Sequence, residues 1–229
     1  MTQAMNRDFD LIMFDLDGTL IETAPEICDA VNDTLARFDL PAVSQKLVDD
    51  WIGHGTRELL VSALAFAGNT SVAAVRASDT LPRIAAEFDK HYQRRCGTRS
   101  HLYPRVRETL VALKERSVKL AVVTNKEARY TSAVLDAHQL MPLFDRVVSG
   151  DTMARKKPDP MGIESCLTEF NTSAHRALFV GDSSIDVATA RNAGVQVWAL
   201  PYGYNMGQPI AQSDPDRLIA DCSALLQSL

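Results

Sequence analysis

The stretch 8-DFDLIMFDLDGTL-20 is an apolar run that ends in two aspartates, a glycine and a threonine. Its residues 9–14 are typical of a strand that is buried on both faces of a sheet. Asp15 and Asp17 follow at once, and a buried carboxylate stays ionised only beside an opposing charge or a metal ion. The sequence therefore predicts that another part of the chain supplies a partner for these two acids.

The composition is that of a globular chain. It has 229 residues, of which 46% are hydrophobic, enough for one large domain or two smaller ones. The formal net charge of -5 argues against a nucleic-acid binder, because phosphate backbones are bound by clusters of Lys and Arg. The four cysteines form no CxxC pair, so neither a zinc site nor a disulfide framework is indicated.

The sequence shows no targeting or membrane-spanning segment. No apolar run approaches the ~20 residues that span a bilayer, and the N-terminal run does not resemble a cleaved signal peptide. We therefore expect a cytoplasmic protein, as a monomer or a homodimer, that acts on a small molecule and binds neither nucleic acid nor membranes.

Strand-like and helix-like segments alternate along most of the chain. The strand patterns cover residues 9–14, 118–123, 145–149, 177–181 and 195–200. The helical patterns between them cover residues 105–116, 126–138, 160–170 and 184–193. This alternation predicts an α/β fold in which a parallel sheet carries helices on both faces.

Residues 22–99 interrupt the alternation. The segment is rich in Ala and Leu, offers helical spacings such as Ile84, Phe88 and Tyr92, and contains no convincing strand. We expect a helical insertion directly above the exit of the first strand, where open α/β sheets bind ligands. Residues 203–216 are polar and rich in Gly and Pro, which predicts a loop before a short terminal helix.

Polar side chains also follow the later strands. Thr124 and Asn125 end the second strand and begin a helix, whose N-terminus favours an anion. Lys157 lies in the basic loop after the third strand, while Asp182 ends the fourth and Asp186 lies one helical turn beyond it. Each of these residues taken alone could be a helix cap or a turn residue. Together they predict one site, because the carboxyl ends of parallel strands meet at one edge of a sheet.

The acids at this edge favour a hard cation. Aspartate oxygens without His or Cys suit Mg²⁺, which is the usual cation beside phosphate. We expect its ligands to be Asp15, Asp182 and a main-chain carbonyl near Asp17. This cation would be the missing partner of the buried acids, and it would screen the repulsion between an anionic nucleophile and an anionic substrate.

The two acids after the first strand suit two steps of phosphate-ester hydrolysis. Asp15 is ionised at neutral pH and could attack phosphorus without a general base, which would give an aspartyl-phosphate. Asp17, on the same face of the strand, could protonate the leaving oxygen and then activate the hydrolytic water. Asp186 is expected to orient Lys157 or a metal-bound water. The residues predicted to bind phosphate are Gly18, Thr19, Thr124, Asn125 and Lys157.

These motifs resemble those of the haloacid dehalogenase-like hydrolases. The four matching parts, in the family's order, are DLDGT at 15–19, Thr124 with Asn125, Lys157 before Pro158, and GDSSID at 181–186. The resemblance implies a Rossmann-like, doubly wound core of residues 1–21 and 100–229 with a helical cap of residues 22–99. It also implies that Asp15 is the nucleophile, that Asp17 is the acid/base and that Mg²⁺ is the cofactor. Asp17 favours a phosphatase over a dehalogenase, because a halide leaves without a proton.

Within the family the chain is similar to the phosphoglycolate phosphatases. The stretches that carry this similarity are 50-DWIGHGTRELL-60, 124-TNK-126, 156-KKPDP-160 and 202-YGYN-205. It implies 2-phosphoglycolate as substrate, whose carboxylate His54 and Arg57 of the cap could meet. The chain departs from the usual pattern at Arg105, where glycine is usual, at Met161-Gly162 and at Thr189. None of these departures falls on a residue predicted to bind the phosphoryl group, so the class of hydrolase is unaffected.

Other functions remain open from the sequence. A β-phosphoglucomutase-like sugar phosphomutase or a pyrophosphatase would use the same core. A signalling receiver module also places paired acids, a phosphorylatable Asp, a Thr and a Lys around Mg²⁺. Such modules are short and have no cap, so the long insertion and Asp17 count against that alternative.

Overall fold

The computed structural model describes residues 8–228. Within this range the strands are β1 (Leu11–Phe14), β2 (Ile21–Glu22), β3 (His101–Leu102), β4 (Lys119–Val123), β5 (Arg146–Val148), β6 (Ala177–Gly181), β7 (Gln196–Ala199) and β8 (Arg217–Leu218). Six of them form one sheet in the order β5-β4-β1-β6-β7-β8, and all neighbours in it are parallel. β1 therefore lies between β4 and β6, where the strand order reverses and open α/β sheets bind their ligands.

The helices cover both faces of this sheet and a separate layer above it. They are α1 (Ala24–Arg37), α2 (Gln45–Trp51), α3 (Thr56–Ala67), α4 (Val72–Arg76), α5 (Leu81–Arg95), α6 (Val106–Glu115), α7 (Ala128–Ala137), α8 (Met161–Glu169) and α9 (Ser184–Ala193). Short 3₁₀ helices lie at Met141–Leu143, Ala174–Arg176, Ile210–Ser213 and Cys222–Ser228. None of the described helices is both long and apolar enough to cross a membrane.

The side chains of β1 explain why its sequence is an unbroken apolar run. Ile12 and Phe14 join the apolar cluster formed with α6 and α7, and Leu11 and Met13 join the cluster formed with α8 and α9. All four are fully buried, as expected for a parallel strand covered by helices on both faces. The predicted doubly wound α/β fold is therefore confirmed.

The sequence pattern located the long elements and missed the short ones. Each predicted strand and each predicted helix of the core is present, with ends shifted by no more than two residues. β2, β3 and β8 have two residues each, too few to give a periodic signal. The predicted terminal helix is the 3₁₀ helix Cys222–Ser228, and the predicted loop before it contains the 3₁₀ turn Ile210–Ser213.

The helices α1 to α5 form a layer with its own apolar core. Ile27, Val31, Leu60 and Phe88 are among the buried residues of this cluster. The antiparallel β2–β3 ribbon, in which Ile21 faces Leu102, connects the layer to the sheet domain on both sides. We call α1 to α5 the cap. They lie inside the range 22–99 predicted for it, and those end points stay a prediction.

Arg105 begins α6 in a conformation that favours glycine. Its φ is 67°, in the left-handed region where a Cβ atom is strained. This geometry accounts for the glycine that the family pattern has at this position. The side chain of Arg105 is exposed, so the strain is confined to the backbone.

Candidate active site

Asp15 continues the β1–β6 ladder beyond the end of β1. Its main-chain N–H donates to the carbonyl of Val180 at 2.9 Å, which fixes the direction of its side chain. The residue is 8% exposed, and its Oδ1 atom lies 2.8 Å from Lys157 Nζ. The predicted nucleophile and the predicted phosphate-binding lysine are thus in direct contact.

The turn after β1 requires Gly18. Its φ is 87°, and a Cβ atom there would lie 2.3 Å from Asp182 Oδ2, so a side chain would displace that carboxylate. The hydroxyl of Thr19 donates to Asp182 Oδ1 at 2.5 Å. The N–H of Gly18 bonds to Ile21 O and that of Thr19 to Leu16 O. Phosphate binding by this turn therefore stays a prediction.

Lys157 connects two of the buried acids. Besides Asp15, its ammonium contacts Asp186 Oδ1 at 2.6 Å, and the side chain of Lys157 is 4% exposed. Burial alone would lower the pKa of Lys157, but Asp15 and Asp186 outweigh it and raise that pKa above its ordinary value. Lys157 is therefore held as a cation in direct contact with Asp15.

Asp186 is fully buried and accepts hydrogen bonds from four protein donors. Its Oδ1 accepts from Lys157, and its Oδ2 accepts from the N–H of Asp182 at 3.2 Å and from the N–H and hydroxyl of Ser183 at 3.0 and 2.6 Å. A Cβ atom on Gly181 would lie 2.4 Å from Asp186 Cβ. This arrangement places Asp186 behind Lys157, as a group that orients the lysine and the loop of Asp182.

Asp182 is held from two sides at the end of β6. Its Oδ1 accepts from Thr19, and its Oδ2 accepts from the N–H of Tyr204 at 2.5 Å. Burial, together with the charges of Asp186 and Asp15, raises the pKa of Asp182 well above its ordinary value. Two hydrogen bonds thus fix the position of the Asp182 carboxylate in surroundings that disfavour its charge.

The donor set of these acids fits a divalent cation. Asp15, Asp182 and Asp186 each offer a carboxylate oxygen, and these three atoms lie within 4.8 Å of one another. Lys157 balances one of the three charges, and burial raises the pKa of Asp15 to about 6 despite the opposing effect of that lysine. Oxygen ligands without His or Cys suit a hard ion. Asp186 accepts four hydrogen bonds, three of them at Oδ2, whereas each oxygen of Asp182 accepts one, so Asp15 and Asp182 are the better ligands.

Asp17 is not one of the three clustered acids and has its own bonding partners. Its Oδ1 accepts from the Thr23 hydroxyl at 2.7 Å and from Lys126 Nζ at 2.9 Å, and its Oδ2 lies 3.1 Å from the same nitrogen. Lys126 also donates to the hydroxyl of Tyr92, on α5 of the cap. The predicted metal contact through the main-chain carbonyl of Asp17 stays a prediction. The two acids of the first motif are thus held by two different lysines.

Lys126 belongs to the stretch 124-TNK-126 and Tyr92 to a predicted helix, but neither was expected to act in the site. The side chain of Lys126 is fully buried, and Tyr92 is fully buried too. Burial opposes the charge of Lys126, but Asp17, Cys96 and Glu26 raise its pKa above the ordinary value, so it remains a cation. The sequence signal for a role of Lys126 was its position directly after two polar residues at a strand end. Its partner on α5 lies 34 residues away in sequence and could not be identified.

Thr124 and Asn125 extend from β4 into the site. Thr124 is buried, and its Oγ1 accepts from the N–H of Lys126 at 3.3 Å. The side-chain amide of Asn125 donates to Gly53 O of the cap and to Lys157 O, each at 3.0 Å. Asn125 therefore joins the cap, β4 and the lysine loop, and its predicted contact with phosphate stays a prediction.

A small cavity of about 30 Å³ lies between cap and core. The core lines it with Asp15, Asp17, Thr124, Asn125 and Lys126, and the cap lines it with Ile27, Ile52, Gly53, Gly55, Thr56 and Leu59. His54 and Arg57 come from the same cap loop, but both are exposed and neither lines this cavity. Their predicted contact with the substrate stays a prediction.

The parallel sheet, the acidic site at its switch point and the helical layer above that site define a capped α/β hydrolase. A family model described as haloacid dehalogenase-like hydrolase matches residues 12–200, and this chain belongs to that family. The predicted family membership is therefore confirmed.

Relatives match the chain over nearly its whole length. A phosphoglycolate phosphatase of Vibrio cholerae is 37% identical, with 96% of this chain and 97% of the relative covered. One of Mannheimia succiniciproducens is 40% identical, with 97% and 99% covered. A crystal structure described as a predicted phosphoglycolate phosphatase from Haemophilus somnus is 36% identical and superposes with a TM-score of 0.91, covering 97% of this chain and 98% of that one.

Proposed function

We propose that this protein is a Mg²⁺-dependent phosphatase that hydrolyses 2-phosphoglycolate to glycolate and phosphate. The observation that carries the proposal is the separation of two neighbouring acids into different surroundings. Asp15 lies beside Lys157 in the acidic cluster, whereas Asp17 lies beside Lys126 under the cap. One acid is thus placed to meet phosphorus and the other to meet the leaving group.

In the first step the Asp15 carboxylate attacks phosphorus while the ester P–O bond breaks. A pKa of about 6 leaves Asp15 mainly ionised at neutral pH, so no base is needed for this step. Asp17 must enter this step protonated; it gives that proton to the departing oxygen, and glycolate leaves. Mg²⁺ bound by Asp15 and Asp182 would neutralise charge on the phosphoryl oxygens.

In the second step water cleaves the aspartyl-phosphate. Asp17, now a carboxylate, takes a proton from the water as its oxygen forms a bond to phosphorus. The P–O bond to Asp15 breaks, and phosphate is released with the enzyme restored. Lys157, held by Asp186, stabilises the charge on the phosphoryl oxygens in both steps.

The size of the cavity supports a small leaving group. About 30 Å³ corresponds to roughly two water molecules, since one needs about 10–15 Å³ by this measure. The cap must separate from the core to admit a substrate, and after closing it would enclose a two-carbon acid more readily than a hexose ring. The names of the relatives at 37% and 40% identity agree with this choice.

The test is phosphate release with Mg²⁺ across 2-phosphoglycolate, ethyl phosphate, glucose 1-phosphate, glucose 6-phosphate and pyrophosphate. We expect kcat/KM for 2-phosphoglycolate to exceed the others by at least about tenfold. If the protein releases phosphate from none of these compounds, the proposal that it is a phosphatase is wrong. Conversion of glucose 1-phosphate to glucose 6-phosphate without phosphate release would instead assign the chain to the phosphomutases.

A further inference from the structure

Lys126 is a buried cation that the hydrolytic steps above do not use. Its side chain has no exposed surface, and lysine is almost never fully buried unless a partner compensates its charge. Its two bonding groups among the described residues are the Asp17 carboxylate and the Tyr92 hydroxyl. The three donors of the ammonium are directed at the two Asp17 oxygens and the Tyr92 hydroxyl, so a ligand would take the place of one of these acceptors, most readily Asp17 Oδ2 at 3.1 Å.

The position of Lys126 relative to the leaving group matches a particular substrate chemistry. In the proposed reaction Asp17 contacts the leaving oxygen, and Lys126 Nζ lies 2.9 Å from Asp17 Oδ1. The ammonium is therefore one contact away from the leaving oxygen. In a phosphorylated α-hydroxy acid the carboxylate carbon is two bonds from that same oxygen, so the carboxylate falls within reach of Lys126.

The other cations near the site are differently placed. Lys157 lies against Asp15 and Asp186, on the side of the phosphoryl group. Among the described residues that line the cavity, Lys126 is the sole cation. The cap contributes only apolar side chains, glycines and a threonine to this lining.

We propose that Lys126 binds the carboxylate of the leaving group and so selects phosphorylated α-hydroxy acids over phosphomonoesters with an uncharged leaving group. This inference rests on the proposed function and names the residue that gives it specificity. A carboxylate brought under the cap would otherwise be buried without a partner, which is strongly unfavourable. In Lys126 it meets a fixed cation that already belongs to the core.

The experiment compares 2-phosphoglycolate with ethyl phosphate, which has the same two-carbon chain and a methyl group in place of the carboxylate. Both substrates are assayed with each preparation, so that the ratio of their kcat/KM values is independent of the folded fraction. In Lys126→Met we expect kcat/KM for 2-phosphoglycolate to fall about 100-fold more than kcat/KM for ethyl phosphate. Lys126→Arg should keep most of the discrimination. Lys46→Met, an exposed cap lysine away from the cavity, is the matched control.

The outcomes separate this inference from the proposed function. A wild-type enzyme that hydrolyses both substrates equally well would overturn the proposed substrate and this inference together. A wild-type preference that Lys126→Met retains would overturn only the inference. An equal loss on both substrates would also overturn it and would leave Lys126 as a residue that positions Asp17. Loss of the preference in Arg57→Ala instead would assign the carboxylate to the cap loop.

A binding measurement covers the case in which the variants turn over neither substrate. Calorimetry with glycolate should give an affinity at least about tenfold weaker for Lys126→Gln than for wild type. Circular dichroism establishes beforehand that the variant is folded. Equal affinity in the two proteins would contradict the role of Lys126 in carboxylate binding.

Discussion

The core half and the cap half of the site are held by different kinds of contact. In the core, Asp182, Asp186 and Lys157 are buried and bonded to several partners each. The cap adds apolar side chains and main-chain groups, and it meets the core through bonds such as Thr56 to Glu127 at 2.7 Å and Tyr130 to Asp89 at 2.8 Å. The charged chemistry lies in the half whose geometry the sheet fixes, and the bonds that join the cap to this half must break when the cap opens for the substrate.

The largest effect is expected when the predicted nucleophile of the core half, Asp15, is replaced. We expect Asp15→Asn to lower kcat by at least about 1,000-fold, because the neutral amide cannot attack phosphorus. In the absence of divalent cations its melting temperature should equal or exceed that of wild type, since burial disfavours the Asp15 charge. Phosphate-release assays and thermal unfolding measure the two effects. Near-normal turnover by this variant would remove Asp15 from its role.

The next largest effect tests the rigidity of the core half. Asp186→Ala removes one of the two acids that compensate Lys157, together with the bonds to Ser183 at the start of α9. Breaking a buried ion pair on one side costs about 3–5 kcal/mol, so we expect a loss near 3 kcal/mol in the free energy of unfolding. Urea denaturation measures it, with Asp136→Ala on the exposed side of α7 as control. A loss below about 1 kcal/mol would mean that Lys157 is positioned without Asp186.

The effect of pH on the acidic cluster gives a third test. Burial raises the pKa of Asp15 from 3.8 to about 6, so the folded chain retains a proton that the unfolded chain releases. Without divalent cations the stability should therefore fall as the pH rises through this interval. Mg²⁺ requires ionised ligands, so its stabilising effect should grow over the same interval. We expect millimolar Mg²⁺ to raise the melting temperature by about 5 °C near pH 7.5 and by much less near pH 5.

The control for this pH effect is Asp182→Asn, which removes a predicted ligand and should abolish most of the shift caused by Mg²⁺. Thermal unfolding with and without a chelator supplies the comparison. A Mg²⁺ shift of equal size at both pH values would contradict the assignment of these acids as its ligands.

The smallest expected effect is on stability and concerns Arg105, which lies outside both halves of the site. Arg105 holds a left-handed φ of 67°, so Arg105→Gly should remove strain and raise the free energy of unfolding by about 0.5–1 kcal/mol. Turnover should not change, because the side chain is exposed at the start of α6. Arg107→Gly, inside α6, should have the opposite sign. A destabilised Arg105→Gly protein would show that contacts of the arginine outweigh the strain.

The sequence by itself determined five of the six strands of the sheet and the positions of the core acids. A strand buried on both faces must be continuously apolar, and the carboxyl ends of neighbouring parallel strands must converge, so Asp15, Lys157 and Asp182 could be placed together without a structure. The strands β2, β3 and β8 could not be predicted, because two residues carry no period.

The tertiary structure decided which partner each acid has. Asp15 and Asp17 are two residues apart and look alike in sequence, yet Lys157 meets the first and Lys126 the second. Tyr92 reaches Lys126 from a cap helix, whereas His54 and Arg57 of the conspicuous cap loop lie exposed. Contacts of this kind depend on how the cap rests on the core. Local sequence patterns report periodicity along the chain and carry no information on that packing.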